Sequence, residues 1–104
     1  MSRDLKVADS VVAKPGVTDP DMGGDISGWQ GRTVDIHQDE RIDPPIVMIT
    51  WDSVTLRKIP ESVIIHCERE GLDWGEMGLF AHEVMPAKTR DTEQDVAQAE
   101  PFRA

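Results

Sequence analysis

The residues of this chain that can do chemistry are carboxylates. Asp19, Asp21 and Asp25 share one glycine-rich stretch, and Asp52, Glu70, Asp73 and Glu76 follow further on. The stretch reads Asp19-Pro20-Asp21-Met22-Gly23-Gly24-Asp25-Ile26-Ser27-Gly28, with acids and glycines interleaved. A backbone bent at glycine can turn several carboxylate oxygens towards one point. Ca²⁺ asks for that arrangement, because it takes about six to eight oxygen ligands. An EF-hand loop would also need an oxygen side chain at its fifth position and a bidentate Glu at its twelfth. Counted from Asp19, those positions hold Gly23 and Gln30. Pro15-Gly16 upstream and a β-prone segment downstream also deny the flanking helices. The stretch is at most an EF-like turn, in which Ser27 and glycine-exposed carbonyls add donors and an acid from elsewhere completes the shell. A solvated, glycine-flexible turn accounts for the same residues without any ion, and both readings stand at this point.

The second acidic group contains Glu68, Glu70, Asp73 and Glu76. Glu70, Asp73 and Glu76 recur in steps of three and can face one way across a helix end and a turn. Asp52 interrupts a strand-like run where a side chain can be re-aimed. Taken singly, helix-face solvation explains Glu68 and Glu70, and turn capping explains Asp73 and Asp52. Calcium fits these donors better than magnesium, because a pliable loop suits Ca²⁺ and Mg²⁺ demands near-octahedral geometry. Zinc is disfavoured by a single cysteine and scattered histidines, His37, His66 and His82. His66 and Cys67 are adjacent, so on a helix they point about 100° apart and form no base–nucleophile pair. Cys67 falls on an apolar stripe and is expected to be buried and inert. No P-loop, strand-following GxGxxG, HExxH or GxSxG occurs, and the expectation is a non-enzymatic protein.

The elements that must position these groups read mainly as strands. Val11–Val17 is a first strand. Gly31–His37 is a second, with Val34 and Ile36 on one face. Gln38–Pro45 is charged, ends in Pro44-Pro45 and reads as a hairpin-like loop. Ile46–Trp51 is the strongest strand. Asp52-Ser53 interrupts it, and Val54–Ile59 resumes the alternation. Pro60–Glu70 reads as a short helix with Gly71 as its C-cap, although Val63-Ile64-Ile65 leaves a strand over Val63–Cys67 as the rival. Leu72–Glu76 is a turn around Trp74, and Met77–Met85 is a last strand ended by Pro86. The fold expected is mainly β, a small SH3-like barrel of four to five antiparallel strands with one short helix. Its domain covers residues 10–87, after a flexible arm over 1–9 and before a flexible or partly helical tail over 88–104.

Charge placement narrows the partners. The chain has 104 residues, 38% of them hydrophobic, and a net charge of −9. Residues 1–14 carry +1, residues 88–104 carry −1, and residues 15–87 therefore hold −9. A body that acidic repels phosphate backbones and attracts cations or a basic protein partner. One cysteine, no signal-peptide-like apolar run at the start and no stretch near the roughly 18–20 apolar residues of a membrane span point to the cytoplasm, with no membrane partner. Trp29, Trp51 and Trp74 read as core or rim packing, and Trp29 beside the acidic loop would report ion binding. The absence of tyrosine argues against a proline-peptide groove of the usual SH3 type. A third reading, an adaptor docked by its tail, rests on Val96, Ala97 and Phe102.

Gly28-Trp29-Gln30-Gly31-Arg32, the run Ile49-Thr50-Trp51-Asp52-Ser53-Val54-Thr55-Leu56 and Cys67-Glu68-Arg69-Glu70-Gly71-Leu72-Asp73-Trp74 together resemble the cyanobacterial calcium-binding protein family of the CcbP type. The resemblance spans about residues 11–87. It implies a small acidic protein with an SH3-like β-rich fold that binds Ca²⁺ through clustered carboxylates and buffers or senses it in the cytosol. It assigns no ligand residue by residue. The runner-up is a non-enzymatic SH3-like interaction module with an acidic face for a basic partner.

Overall fold

A computed structural model of the chain describes residues 5–20, 23–39 and 41–99. Five antiparallel strands form one sheet in the order β4-β3-β2-β1-β5, where β1 is Ser10–Ala13, β2 Gln30–Asp39, β3 Ile42–Trp51, β4 Glu76–Phe80 and β5 Val84–Pro86. The architecture is mainly β and has the form of a small barrel-like fold, as the strand pattern led one to expect. Among the described residues three short α-helices accompany the sheet, where one was expected in the barrel and a flexible or partly helical tail after it: α1 Ser53–Lys58, α2 Glu61–Glu70 and α3 Glu93–Ala99.

Several boundaries differ from the pattern for identifiable reasons. The charged Gln38–Pro45 segment is not a loop but the end of a long β2–β3 hairpin. Pairing runs from Gly31↔Trp51 through His37↔Ile46 to Asp39↔Ile42, with a register shift between His37 and Asp39. That irregularity accommodates Pro44 and Pro45, which cannot donate to a regular ladder. A second register shift falls between Thr33 and Asp35, at Val34, which is exposed. The final strand is split by a 3-10 turn over Ala81–Glu83, beyond which β5 crosses to pair with β1.

Val54–Ile59 is helix rather than strand. Asp52 sits in extended backbone at the N-cap and accepts the Thr55 N–H at 2.8 Å, satisfying an orphan donor of the first turn. Arg57 and Lys58 lie in the last turn, at the negative end of the helix dipole. The cap and the burial of Ser53, Thr55 and Leu56 outweigh the β preference of Val and Thr, which is a weak prior. α2 is punctuated as its sequence suggests. Pro60 is its N-cap, Gly71 closes it at φ 74°, and Ile64 and Cys67 are its buried residues.

The core gathers Val11, Ala13, Val47, Ile49, Trp51 and Leu79 from the sheet, with Leu56, Ile59 and Ile64 from the helical segment. Each fully buried aliphatic side chain contributes about 1.5–3 kcal/mol. Gly31 is required where β2 crosses β3, since a Cβ there would lie 2.8 Å from the Trp51 Cα. The segment read as a tail supplies α3, whose Val96 and Ala99 are buried in the same core. Among the described residues no helix is long and apolar enough to cross a membrane.

Candidate functional site

The acidic stretch folds as an excursion between β1 and β2 whose base is held on the core. Val17 and Ile26 are buried, and the Ile26 N–H donates to the Val17 carbonyl at 3.1 Å. Beyond them Thr18 bridges to Asp25. The Asp19 N–H then donates to the Gly24 carbonyl, and the Gly23 N–H to the Asp19 carbonyl, both at 2.8 Å. Asp19 is only 7% exposed, although it is a carboxylate on a loop.

Asp19 lines a recess together with Asp73 and Glu76. Trp29 and Trp74 stand beside them, over Val63, Cys67, Leu72 and Met77. The recess measures about 20 Å³, room for one water-sized body. Each acid is brought there by a different element. α2 ends at Gly71, and the Leu72 N–H donates to the Cys67 carbonyl at 2.8 Å, turning the chain back. Asp73 follows, and its Oδ1 accepts the Gly75 N–H at 2.8 Å. Glu76 opens β4 opposite Thr50. A shallower cleft of about 340 Å³ adjoins, lined by Thr50, Asp73, Trp74, Gly75 and Glu76. Trp29 also meets the buried Trp51 edge to face, with ring centroids 5.4 Å apart.

The remaining expected ligands are placed elsewhere. Asp25 is exposed, and its Oδ1 accepts the Ser27 hydroxyl at 2.6 Å and the Ser27 N–H at 2.9 Å. Those bonds, the hydroxyl first, hold its carboxyl below the usual carboxylate range. Glu70 is on the outer face of α2, 4.0 Å from His66 Nε2 and one turn away from it. The step-of-three pattern therefore joins Asp73 to Glu76 but leaves Glu70 out, because the left-handed Gly71 breaks the helical period between them. Asp21 lies outside the described residues. Among the described residues no three carboxylate, imidazole or thiol groups are placed to hold one ion together.

Asp52 belongs to a different constellation, which residue patterns along the chain did not suggest. Its Oδ2 accepts Arg90 Nε at 2.6 Å, and its Oδ1 accepts Arg90 Nη2 at 3.1 Å in addition to the Thr55 N–H. Hydrogen bonding to Asp52 raises the Arg90 pKa. Beside it, Asp91 accepts the Ser53 N–H at 2.6 Å and Arg32 Nη2 at 2.7 Å, while Arg32 also reaches the Asp91 carbonyl. Burial pushes the Asp91 carboxyl up, but the Ser53 amide and Arg32 outweigh it and hold it below the usual range. These pairs fasten residues 88–92 to α1 and β2, helped by Gln30 Nε2 donating to the Lys88 carbonyl at 2.8 Å. The one local signal for this docking is Thr92-Glu93-Gln94-Asp95. The Asp95 N–H donates to Thr92 Oγ1 and the Thr92 N–H to Asp95 Oδ2, a reciprocal cap that starts α3.

No family model, curated protein or solved structure matches the chain.

Proposed function

We propose that this chain is a small, acidic, non-enzymatic calcium-binding protein of the cytosol that buffers or senses Ca²⁺, the ion being drawn to the recess beside Asp19, Asp73 and Glu76. One observation carries the reading: three carboxylates from separate segments line one recess with room for a single water-sized body. As placed, these three acids do not converge on one ion, so the ion would be held largely through water. The −9 charge of residues 15–87 favours uptake of a divalent ion, which relieves self-repulsion. The resemblance to the CcbP type supports the same ion.

Calorimetry with Ca²⁺ tests it, with Trp29 and Trp74 fluorescence as a second readout. The native chain is expected to give a saturable response, and Asp19→Asn combined with Glu76→Gln is expected to abolish it. Absence of heat up to millimolar Ca²⁺ would sink the proposal. A second reading, a docking site for a basic partner, is favoured by the adjoining cleft, where the Trp74 indole stands beside Asp73 and Glu76. An indole flanked by carboxylates suits a Lys or Arg side chain. That reading predicts a salt-sensitive complex with a basic peptide and no saturable Ca²⁺ response.

A further inference from the structure

We infer that the outer edge of β4 binds an extended basic segment of a partner protein, which pairs along Glu76–Phe80 as a further strand, an inference that rests on the second reading of the acidic cleft as a docking site for a basic partner. β4 and β5 are the two edges of the sheet, and their backbones are placed differently. The Ala87 N–H donates to the Ser10 carbonyl and the Lys14 N–H to the Glu83 carbonyl, both at 2.9 Å. Residues 83, 85 and 87 therefore face β1, and Val84 and Pro86 face outward. The Val84 N–H already donates to the Ala81 carbonyl, and Pro86 has no N–H to offer. β5 is a blunted edge. At β4 the Trp51 N–H donates to the Gly75 carbonyl at 3.0 Å. Residues 75, 77 and 79 therefore face β3, and Glu76, Gly78 and Phe80 turn their backbone groups outward. The Phe80 N–H is met by Glu83 Oε1 at 2.9 Å. Among the described residues no segment pairs with Glu76 or Gly78 on that side. β4 carries no proline, lysine or register shift to discourage a neighbour, and Gly78 at its middle lets a second backbone come close.

Charge selects the occupant. Residues 15–87 carry −9, which opposes edge-to-edge pairing of two copies and favours a cationic strand. A residue opposite Glu76 lies on the same face of the sheet, where a cation completes an opposite-charge cross-strand pair. Beside that position lies the cleft of about 340 Å³ lined by Thr50, Asp73, Trp74, Gly75 and Glu76, with an indole for a Lys or Arg side chain to lie against. At the other end of the edge Phe80 is exposed on that same face and offers an apolar contact. The segment is thus basic towards Glu76 and apolar towards Phe80.

The probe is a fluorescently labelled octapeptide alternating lysine and valine, followed by anisotropy and by amide exchange in the metal-free native chain. It is expected to bind saturably, to weaken as salt rises, and to slow exchange at the Glu76 and Gly78 amides by about tenfold or more. Its fully N-methylated counterpart keeps charge and side chains but offers no N–H, and should bind about tenfold more weakly or worse. Gly78→Pro removes an outward N–H and leaves the bonds to β3 in place, so it should lose binding by a similar factor while staying folded. Should that variant unfold, the N-methylated peptide decides alone. Glu76→Lys should weaken binding of the lysine–valine peptide by about three- to tenfold. Equal binding of the two peptides, with Gly78 exchange unchanged, overturns strand addition and leaves the basic-partner reading standing. A neutral threonine–valine octapeptide that binds as well as the lysine–valine one overturns the choice of a basic segment. No binding of any of these peptides up to millimolar concentration overturns both.

Discussion

In the seam between α1 and α3, Asp52 and Asp91 have side chains only 4% and 5% exposed, and each faces an arginine and a backbone amide. In the recess, Asp73 is exposed, Glu76 is half-buried, and among the described residues neither makes a salt bridge. All four are carboxylates of similar intrinsic acidity, and their surroundings give them different work. In the seam, charge is neutralised within the chain and converted into attachment of one segment to another. At the recess, Asp73 and Glu76 have no salt-bridge partner of that kind among the described residues. Net charge alone therefore says little about an acidic protein, and the informative quantity is which acids the fold has already matched with cations.

The contrast can be broken most forcefully at Asp52. Asp52→Ala removes the α1 cap and strands Arg90, at an expected cost of about 2–4 kcal/mol in urea unfolding, moderated because Arg90 can still reach water. Asp91→Ala should cost less, about 1–3 kcal/mol, and should free α3, seen as faster amide exchange at Val96 and Ala99. Asp91 also sets a pH dependence. Its folded pKa is depressed, so its contribution is fully present above the unfolded value of about 3.9 and is lost as pH falls through the folded value. Acid titration of the α3 amide signals should show release below that unfolded value and none between neutrality and mild acidity. At the recess the sign should reverse. Glu76→Gln is expected to leave metal-free stability unchanged or raise it by up to about 0.5 kcal/mol, while weakening Ca²⁺ binding. Smallest of all, Glu70→Gln should change unfolding by less than about 0.5 kcal/mol and leave the Ca²⁺ response intact. A large loss from Glu76→Gln in the absence of metal would erase the distinction between the two regions.

What could be read in advance follows from how local each determinant is. β3 announces itself through Ile46–Trp51, and α2 through Pro60 and Gly71, because those signals lie within the element. α1 was hidden because Val54, Thr55 and Leu56 satisfy a strand pattern, and only the capping role of Asp52 decides against it. The β2–β3 hairpin was hidden because Pro44 and Pro45 normally end strands, and the bulge that admits them is a tertiary feature. The recess was legible in part. Asp19, Asp73 and Glu76 were candidates, but nothing local separates them from Asp25, Asp52 and Glu70. That separation comes from Gly71 turning the chain, from Ser27 claiming Asp25, and from Arg90, 38 residues away, claiming Asp52.

The pairing of β1 with both β2 and β5 has a consequence for how the chain is made. Val11 pairs across to Gly31 on one side and to Pro86 on the other. During synthesis β2 and β3 can zip as a hairpin early, while one edge of β1 stays open until Val84–Pro86 has been added. Long-range closure of this kind slows folding relative to local hairpins. Until Val84–Pro86 is in place one edge of β1 is unpaired, and the four residues of β1 keep that edge too short to recruit a neighbour readily.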